Sequence, residues 1–381
     1  MTMEVSDRVD GVPPSGIRRF FELAEEMDDI ISLGVGEPDF SAPWSARDAA
    51  IASLERGETS YTANRGKKEL REAIARHQHD AYGLDYDPDE EIIVTTGASE
   101  GIDLALRALV DPGDTVAVAQ PSYVSYVPGV LFAGGEPLPV PTRAEDEFKL
   151  TREVLEDAGA DEADALIYCY PNNPTGATMT GEELADVAAF CRENDLLVLA
   201  DEIYAALTYE HEHTSIATLP EMRERTVVFN GFSKAYAMTG LRLGYAMGPA
   251  EAIAGMNRVH QYTMLSAPTT AQHAALDALA NCDDDVADMR EQYDRRRNFV
   301  LSRFAEMGID CFEAAGAFYA FPKCPTGDSE AFAENLLQEE RVAVVPGDVF
   351  GAGGEGHLRV SYATGLEDLK TAMNRIESFI S

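Results

Sequence analysis

The sequence predicts an α/β fold, with a mostly parallel central sheet, helices on both faces and a smaller α+β part. Three observations carry this. Short, nearly continuous apolar runs recur at Ile92–Thr96, Thr115–Ala119, Ala165–Tyr170, Leu196–Ala200, Thr226–Asn230 and Leu243–Met247. Segments of helical period separate several of them, such as Gly101–Val110 and Gly181–Asn194. Strands that are apolar on both faces belong to sheets covered on both sides, which is where parallel strands occur. The third observation is a change of texture near Cys282. A charged helical stretch, Asp283 to about Met307, leads to short strand-like runs at Gly316–Phe321, Val342–Val345 and Leu358–Tyr362. A last helix is expected over Leu366–Phe379. The implied division is a large domain over 46–281 and a small one combining 1–45 with 282–381.

The 381 residues suffice for two or three domains and an enclosed cleft. With 45% hydrophobic and 25% charged residues, disordered, collagen-like and disulfide-scaffold chains are excluded. No run approaches ~18 apolar residues, so no membrane span is expected. The opening MTMEVSDRVD lacks the basic-then-apolar order of a secretory leader, so a cytoplasmic location is expected. Acids number 67 against 30 basic residues, of which only six are lysine, for a net charge of −37. Such a chain repels phosphate backbones and anionic lipid, so neither nucleic acid nor membrane is an expected partner. The acids are dispersed, with no block longer than three, as at Asp283–Asp285. Dispersed acid with little lysine resembles halophilic proteins. At ~1 M salt the Debye length is about 3 Å and such self-repulsion is tolerated.

Five scattered cysteines without CxxC suit a reducing compartment and buried thiols. The pairs His77/His79 and His211/His213 lack a completing cysteine. The first lies in a helical pattern, where residues two apart diverge. Both pairs read as solvated surface, and no metal is expected.

In parallel sheets ligands bind beyond the carboxyl ends of the strands. After Thr96 comes Gly97-Ala98-Ser99-Glu100-Gly101, either a helix-opening phosphate cradle or an ordinary capped turn. After Ala119, the segment to Tyr126 offers Tyr123, either to stack on a planar ring or to pack. After Tyr170 comes Pro171-Asn172-Asn173-Pro174-Thr175-Gly176, a polar turn placed for a ligand and also favoured locally. Asp201 closes a buried run and needs a cationic partner, such as a protonated ring nitrogen, unless it caps a helix or joins a salt bridge. Lys234 stands after Gly231-Phe232-Ser233, where an apolar setting lowers a lysine's pKa and favours Schiff-base chemistry. Arg242, eight residues on, suits a phosphate dianion.

Together these segments resemble the class I/II aminotransferases of fold type I, which use pyridoxal 5′-phosphate (PLP). The matching strings are LGVGEPDF (33–40), YTANRGKKELREAIA (61–75), PSYVSY (121–126), YPNNPTGA (170–177), DEIY (201–204), NGFSKAYAMTGLRLGY (230–245), GAFYAFP (316–322), VAVVPGDVFG (342–351) and LRVSYAT (358–364). They cover essentially the whole chain and come closest to archaeal aromatic and aspartate enzymes. The resemblance implies that Lys234 holds PLP covalently and shuttles the substrate proton. It implies that Asp201 pairs with the pyridinium nitrogen and that Tyr204 and Asn173 bond the ring oxygen. Tyr123 would stack on the ring. Ala98, Ser99, Ser233 and Arg242 would hold the phosphate, with Tyr61 arriving from the partner of a homodimer. Arg359, assisted by Gly36 and Asn173, would bind the substrate carboxylate, with Ile17 near the side chain. The activity implied is ping-pong transfer of an amino group from an L-amino acid, aromatic before aspartate or alanine, to a 2-oxo acid such as 2-oxoglutarate.

Departures exist. Gly240-Leu241-Arg242 replaces a common GWR, and Gly231 stands where some relatives place a phosphate-binding serine. No second arginine is clearly placed for a side-chain carboxylate. A PLP lyase or synthase on the same fold shares the cofactor residues and stays open, whereas a PLP-binding regulator is a weak alternative, since no DNA-binding segment is expected before Leu33 and the chain is acidic. Gly351–Gly356 matches GxGxxG, but it precedes a strand rather than following one, so a NAD oxidoreductase is the weaker alternative.

Overall fold

The computed structural model describes residues 5–14, 16–17, 27 and 29–381. Its centre is a seven-stranded sheet of β2 (Ile92–Thr95), β3 (Thr115–Gln120), β4 (Glu136–Pro141), β5 (Ala165–Cys169), β6 (Leu197–Asp201), β7 (Thr226–Gly231) and β8 (Gly244–Met247). A first strand, β1 (Ile31–Ser32), lies outside it. The order is β2-β8-β7-β6-β5-β3-β4. β8 runs antiparallel to both neighbours and all other pairs are parallel.

Alternation along the strands builds the two faces. Ala165, Ile167 and Cys169 join one core with Leu104, Ala105 and Ile253 from helices Ala98–Leu109 and Ala250–Thr263. Leu166, Tyr168 and Tyr170 join another with Leu184, Val187 and Phe190 of helix Gly181–Glu193. That helix opens with a capping box between Thr180 and Glu183. The edge strand β4, which the apolar-run reading omits, has proline at 137, 139 and 141. Glu136 and Thr142 donate to Asp114 and Gln120 on β3's side, so the prolines take the positions that need no N–H.

The C-terminal part holds helix Asp283–Glu306, β9 (Tyr319–Ala320), helix Ser329–Glu340, β10 (Val342–Ala343), β11 (Val345–Pro346), β12 (Leu358–Ser361) and helix Leu366–Ile380. β11-β12-β9 form an antiparallel sheet, and β1 pairs with β10. Gly351–Gly356 is a loop before β12, tied to Gln120, whose Oε1 accepts from the Ala352 amide. His213 departs from the surface reading: its side chain is buried beside Glu202.

Candidate active site

A cavity of ≈ 280 Å³ opens at the carboxyl end of the central sheet, near the low end of the ~300–1,000 Å³ typical for small ligands. Gly36, Ala98, Ser99, Tyr123, Asn173, Asp201, Tyr204, Ser233, Lys234, Arg242 and Arg359 all reach its wall, with Ile17 at one side. Of the expected residues only Tyr61 is absent. It is 81% exposed on this chain's surface. The Tyr262–Pro268 segment is also absent from the wall, and Tyr262 points to solvent.

Local chemistry sets each position. Asn172 builds the turn after β5: its Oδ1 accepts from the Thr175 amide and hydroxyl, and its Nδ2 donates to Cys169 O. The next residue, Asn173, is thereby aimed at the cavity. Its Oδ1 accepts from Arg359 Nη1 at 2.8 Å. Arg359 Nη2 donates to Gly34 O at 2.6 Å, while buried Nε has no partner. The guanidinium lies 4.8 Å from both the Tyr319 and Phe350 rings. Among the described residues no carboxylate pairs with it, and burial lowers its pKa.

Asp201 ends β6 and is 4% exposed. It accepts from Tyr126 Oη at 2.6 Å and from the Ile203 amide. Burial outweighs these bonds and pushes its pKa up to about 6. Lys234 Nζ donates to Gly36 O at 2.7 Å. Burial, then the Arg359 charge, brings its amine down to about 8. Tyr204 Oη and Tyr319 Oη are 2.9 Å apart, and burial holds the Tyr204 phenol well above its usual range.

At the other end, Gly97 opens the helix Ala98–Leu109 at φ +81°. A Cβ there would stand 2.7 Å from Arg242 Nη2, so only glycine leaves that cup open. A Cβ at Gly244 would meet the Ala98 amide at 2.4 Å. Gly231 is not on the wall. A Cβ there would stand 2.9 Å from Gly244 Cα, so a serine would require the two strands to shift.

Tyr319, Thr239 and Cys169 on the wall, and Tyr126, which bonds Asp201, are residues that motif reading left unassigned. Tyr126 and Tyr319 lie within the quoted strings, but their partners are 75 and 115 residues away in sequence.

The family pattern described as Aminotransferase class I and II matches residues 28–376. The chain belongs to the class I and II aminotransferases. Bacillus subtilis YugH, an aminotransferase by name, is 51% identical over 100% of this chain and 99% of its own. The aromatic-amino-acid aminotransferase 2 of Thermococcus litoralis is 43% identical, covering 99% and 98%. Among solved structures, the Thermus thermophilus aspartate aminotransferase with maleate has a TM-score of 0.94 at 38% identity, covering 99% and 100%. The fold is therefore fold type I, and the chain is a PLP-dependent aminotransferase acting on amino and 2-oxo acids. Its residues fit the cofactor: an open cup beside Arg242, a buried acid that forms no salt bridge among the described residues, and a lysine amine of lowered pKa share one cavity. Among the described residues no helix is long and apolar enough to cross a membrane, and no His/Cys/Asp/Glu group has a metal-holding arrangement.

Proposed function

We propose that this aminotransferase takes aromatic L-amino acids first, aspartate or alanine less readily, and 2-oxoglutarate as acceptor. The observation that carries the reading is a buried guanidinium at Arg359 with no carboxylate partner among the described residues. A buried charge without a counter-ion is costly, so the substrate α-carboxylate is its natural partner. The only other guanidinium on the described cavity wall, Arg242, is taken by phosphate in this reading. That leaves none for an aspartate side chain, and the remaining wall near Ile17 and Tyr319 suits a ring.

When bound, PLP supplies an electron-withdrawing ring and an aldehyde that carries the amino group between substrates. The chain's own residues do the rest. Gly97, Ala98, Ser99, Ser233 and Arg242 would hold the phosphate, and Tyr123 would stack on the ring. Asp201 would keep the ring nitrogen protonated, with Asn173 and Tyr204 bonding the ring oxygen. The Lys234 amine, neutral in part near pH 8, would take the proton from the substrate Cα and deliver it to the cofactor's aldehyde-derived carbon. Arg359, with Gly36 and Asn173, would orient the carboxylate. Two substrates using one carboxylate anchor in turn suits a ping-pong sequence.

We also read the chain as two domains, 46–281 and 1–45 with 282–381; the β1–β10 pairing supports joining the termini. A homodimer is proposed on an exposed apolar surface. Tyr61, Tyr262, Met264 and Leu265 crowd one area, where Asn64 Nδ2 donates to Leu265 O and Thr269 Oγ1 to Ser60 O. Tyr61 would then reach the partner's phosphate. The free cysteines support a reducing cytoplasm, and the −37 charge supports a high-salt one.

The test is a donor panel with 2-oxoglutarate. Phenylalanine or tyrosine should give the highest kcat/KM, at least about tenfold over aspartate. Aspartate in first place would overturn the substrate reading. Ammonia with elimination products would favour a lyase.

A further inference from the structure

Glu202 follows Asp201 at the end of β6, and strand alternation sends the two side chains to opposite sides. Asp201 lines the cavity, whereas Glu202 does not and is 2% exposed. Its Oε1 accepts from Ser215 Oγ at 2.6 Å, and its Oε2 lies 3.0 Å from His213 Nε2. Both partners come from the loop that precedes the short 3₁₀ turn Ile216–Thr218. Ser215 also caps the short 3₁₀ turn Ile216–Thr218. The His213 ring packs edge-on against Tyr82, with centroids 5.6 Å apart.

Among the described residues no lysine or arginine pairs with Glu202, so His213 is its ion-pair partner when the imidazole carries both protons. A glutamine could bond the same serine and histidine. The buried charge therefore calls for a reason beyond packing, because it carries a desolvation penalty that an amide would not. Its position supplies one. Glu202 lies within electrostatic range of Asp201 and makes that carboxyl hold a proton more firmly. Tyr82, Tyr86, Tyr168, Tyr245 and Cys169 also lie within range of Glu202. They come from helix Lys68–Tyr82, the loop after it, β5 and β8, and burial holds them all protonated. Arg290 faces Tyr82 from helix Asp283–Glu306 and donates to Thr208 O and Tyr209 O.

We propose that Glu202, held by Ser215 and paired with His213, is a positioning residue that acts through the neighbouring Asp201 and biases how firmly it keeps the cofactor's ring nitrogen protonated. This rests on the Asp201 assignment above. Removing the Glu202 charge weakens the negative field at the cofactor. Removing His213, 3.0 Å from Glu202 Oε2, leaves that charge less compensated and strengthens it.

The experiment titrates the visible absorbance of PLP-loaded protein against pH, for wild type, Glu202→Gln, His213→Asn and Ser215→Ala. Glu202→Gln should lower the midpoint by about 0.5 pH unit or more, and His213→Asn should raise it. Ser215→Ala, neutral for neutral, should lower Tm and move the midpoint less than either. Should His213→Asn fail to fold, the isosteric Glu202→Gln decides alone. An unmoved midpoint in folded Glu202→Gln, or shifts of the same sign in both charge variants, overturns the proposal and leaves Asp201's role standing. A wild type without a titrating visible band overturns both.

Discussion

At the scale of single residues, the cavity is defined by two ionisable groups moved in opposite directions from their usual values. Lys234 is brought down to about 8 by burial and by Arg359. PLP capture by the cofactor-free protein should therefore accelerate as pH rises through about 8, because only the neutral amine attacks. Arg359→Ala should move that midpoint to higher pH in stopped-flow absorbance, whereas an unchanged profile would deny the coupling. Asp201 is pushed up to about 6. A carboxyl with a raised folded-state pKa contributes stability that is full below its unfolded value near 4 and lost as pH climbs through about 6. At pH 7.5 the ionised, buried group costs roughly 3 kcal/mol or less. Asp201→Asn keeps an acceptor for Tyr126 and removes that charge. It should raise the Tm of cofactor-free protein by a few degrees while lowering transamination roughly 100-fold or more. A lower Tm in calorimetry would contradict this account of the carboxyl.

At the scale of elements, the proposed phosphate cup depends on how closely β8 approaches the helix Ala98–Leu109. Gly244 permits that approach, since a Cβ would stand 2.4 Å from the Ala98 amide. Gly244→Ala should cost about 1–3 kcal/mol of stability and weaken PLP binding by tenfold or more, measured by denaturation and by absorbance titration. The strands that carry the site were legible because they are buried on both faces and read as apolar runs. β4 was not, because Pro137, Pro139 and Pro141 disguise a strand that tolerates them only at a sheet edge. The antiparallel direction of β8 was not legible either, since an apolar run looks the same in both directions. Site residues at strand ends announced themselves by polarity after an apolar run, as Asp201 and Lys234 did. Tyr126, Tyr319 and the Glu202–His213 pair did not, because each gains its meaning from a partner that only the fold supplies.

At the scale of the whole molecule, the charge of −37 and the exposed Tyr61 and Tyr262 rings set the remaining expectations. The self-repulsion should be relieved by screening, so Tm should rise steadily between ~0.1 and ~2 M KCl. A flat or falling Tm would remove the high-salt reading. Tyr61→Ala should leave the fold intact while weakening PLP retention in the proposed dimer, read by dialysis and sedimentation.

The central claim is that Lys234 carries PLP in a cavity built to pass an amino group between acids. The direct measurement is the absorption spectrum of protein purified in high salt, before and after single amino donors. The account predicts a visible band that is absent from Lys234→Ala and bleached by an aromatic donor, with an oxo acid released. A protein that forms no such band with added PLP, or keeps the band unchanged with every donor, would contradict it.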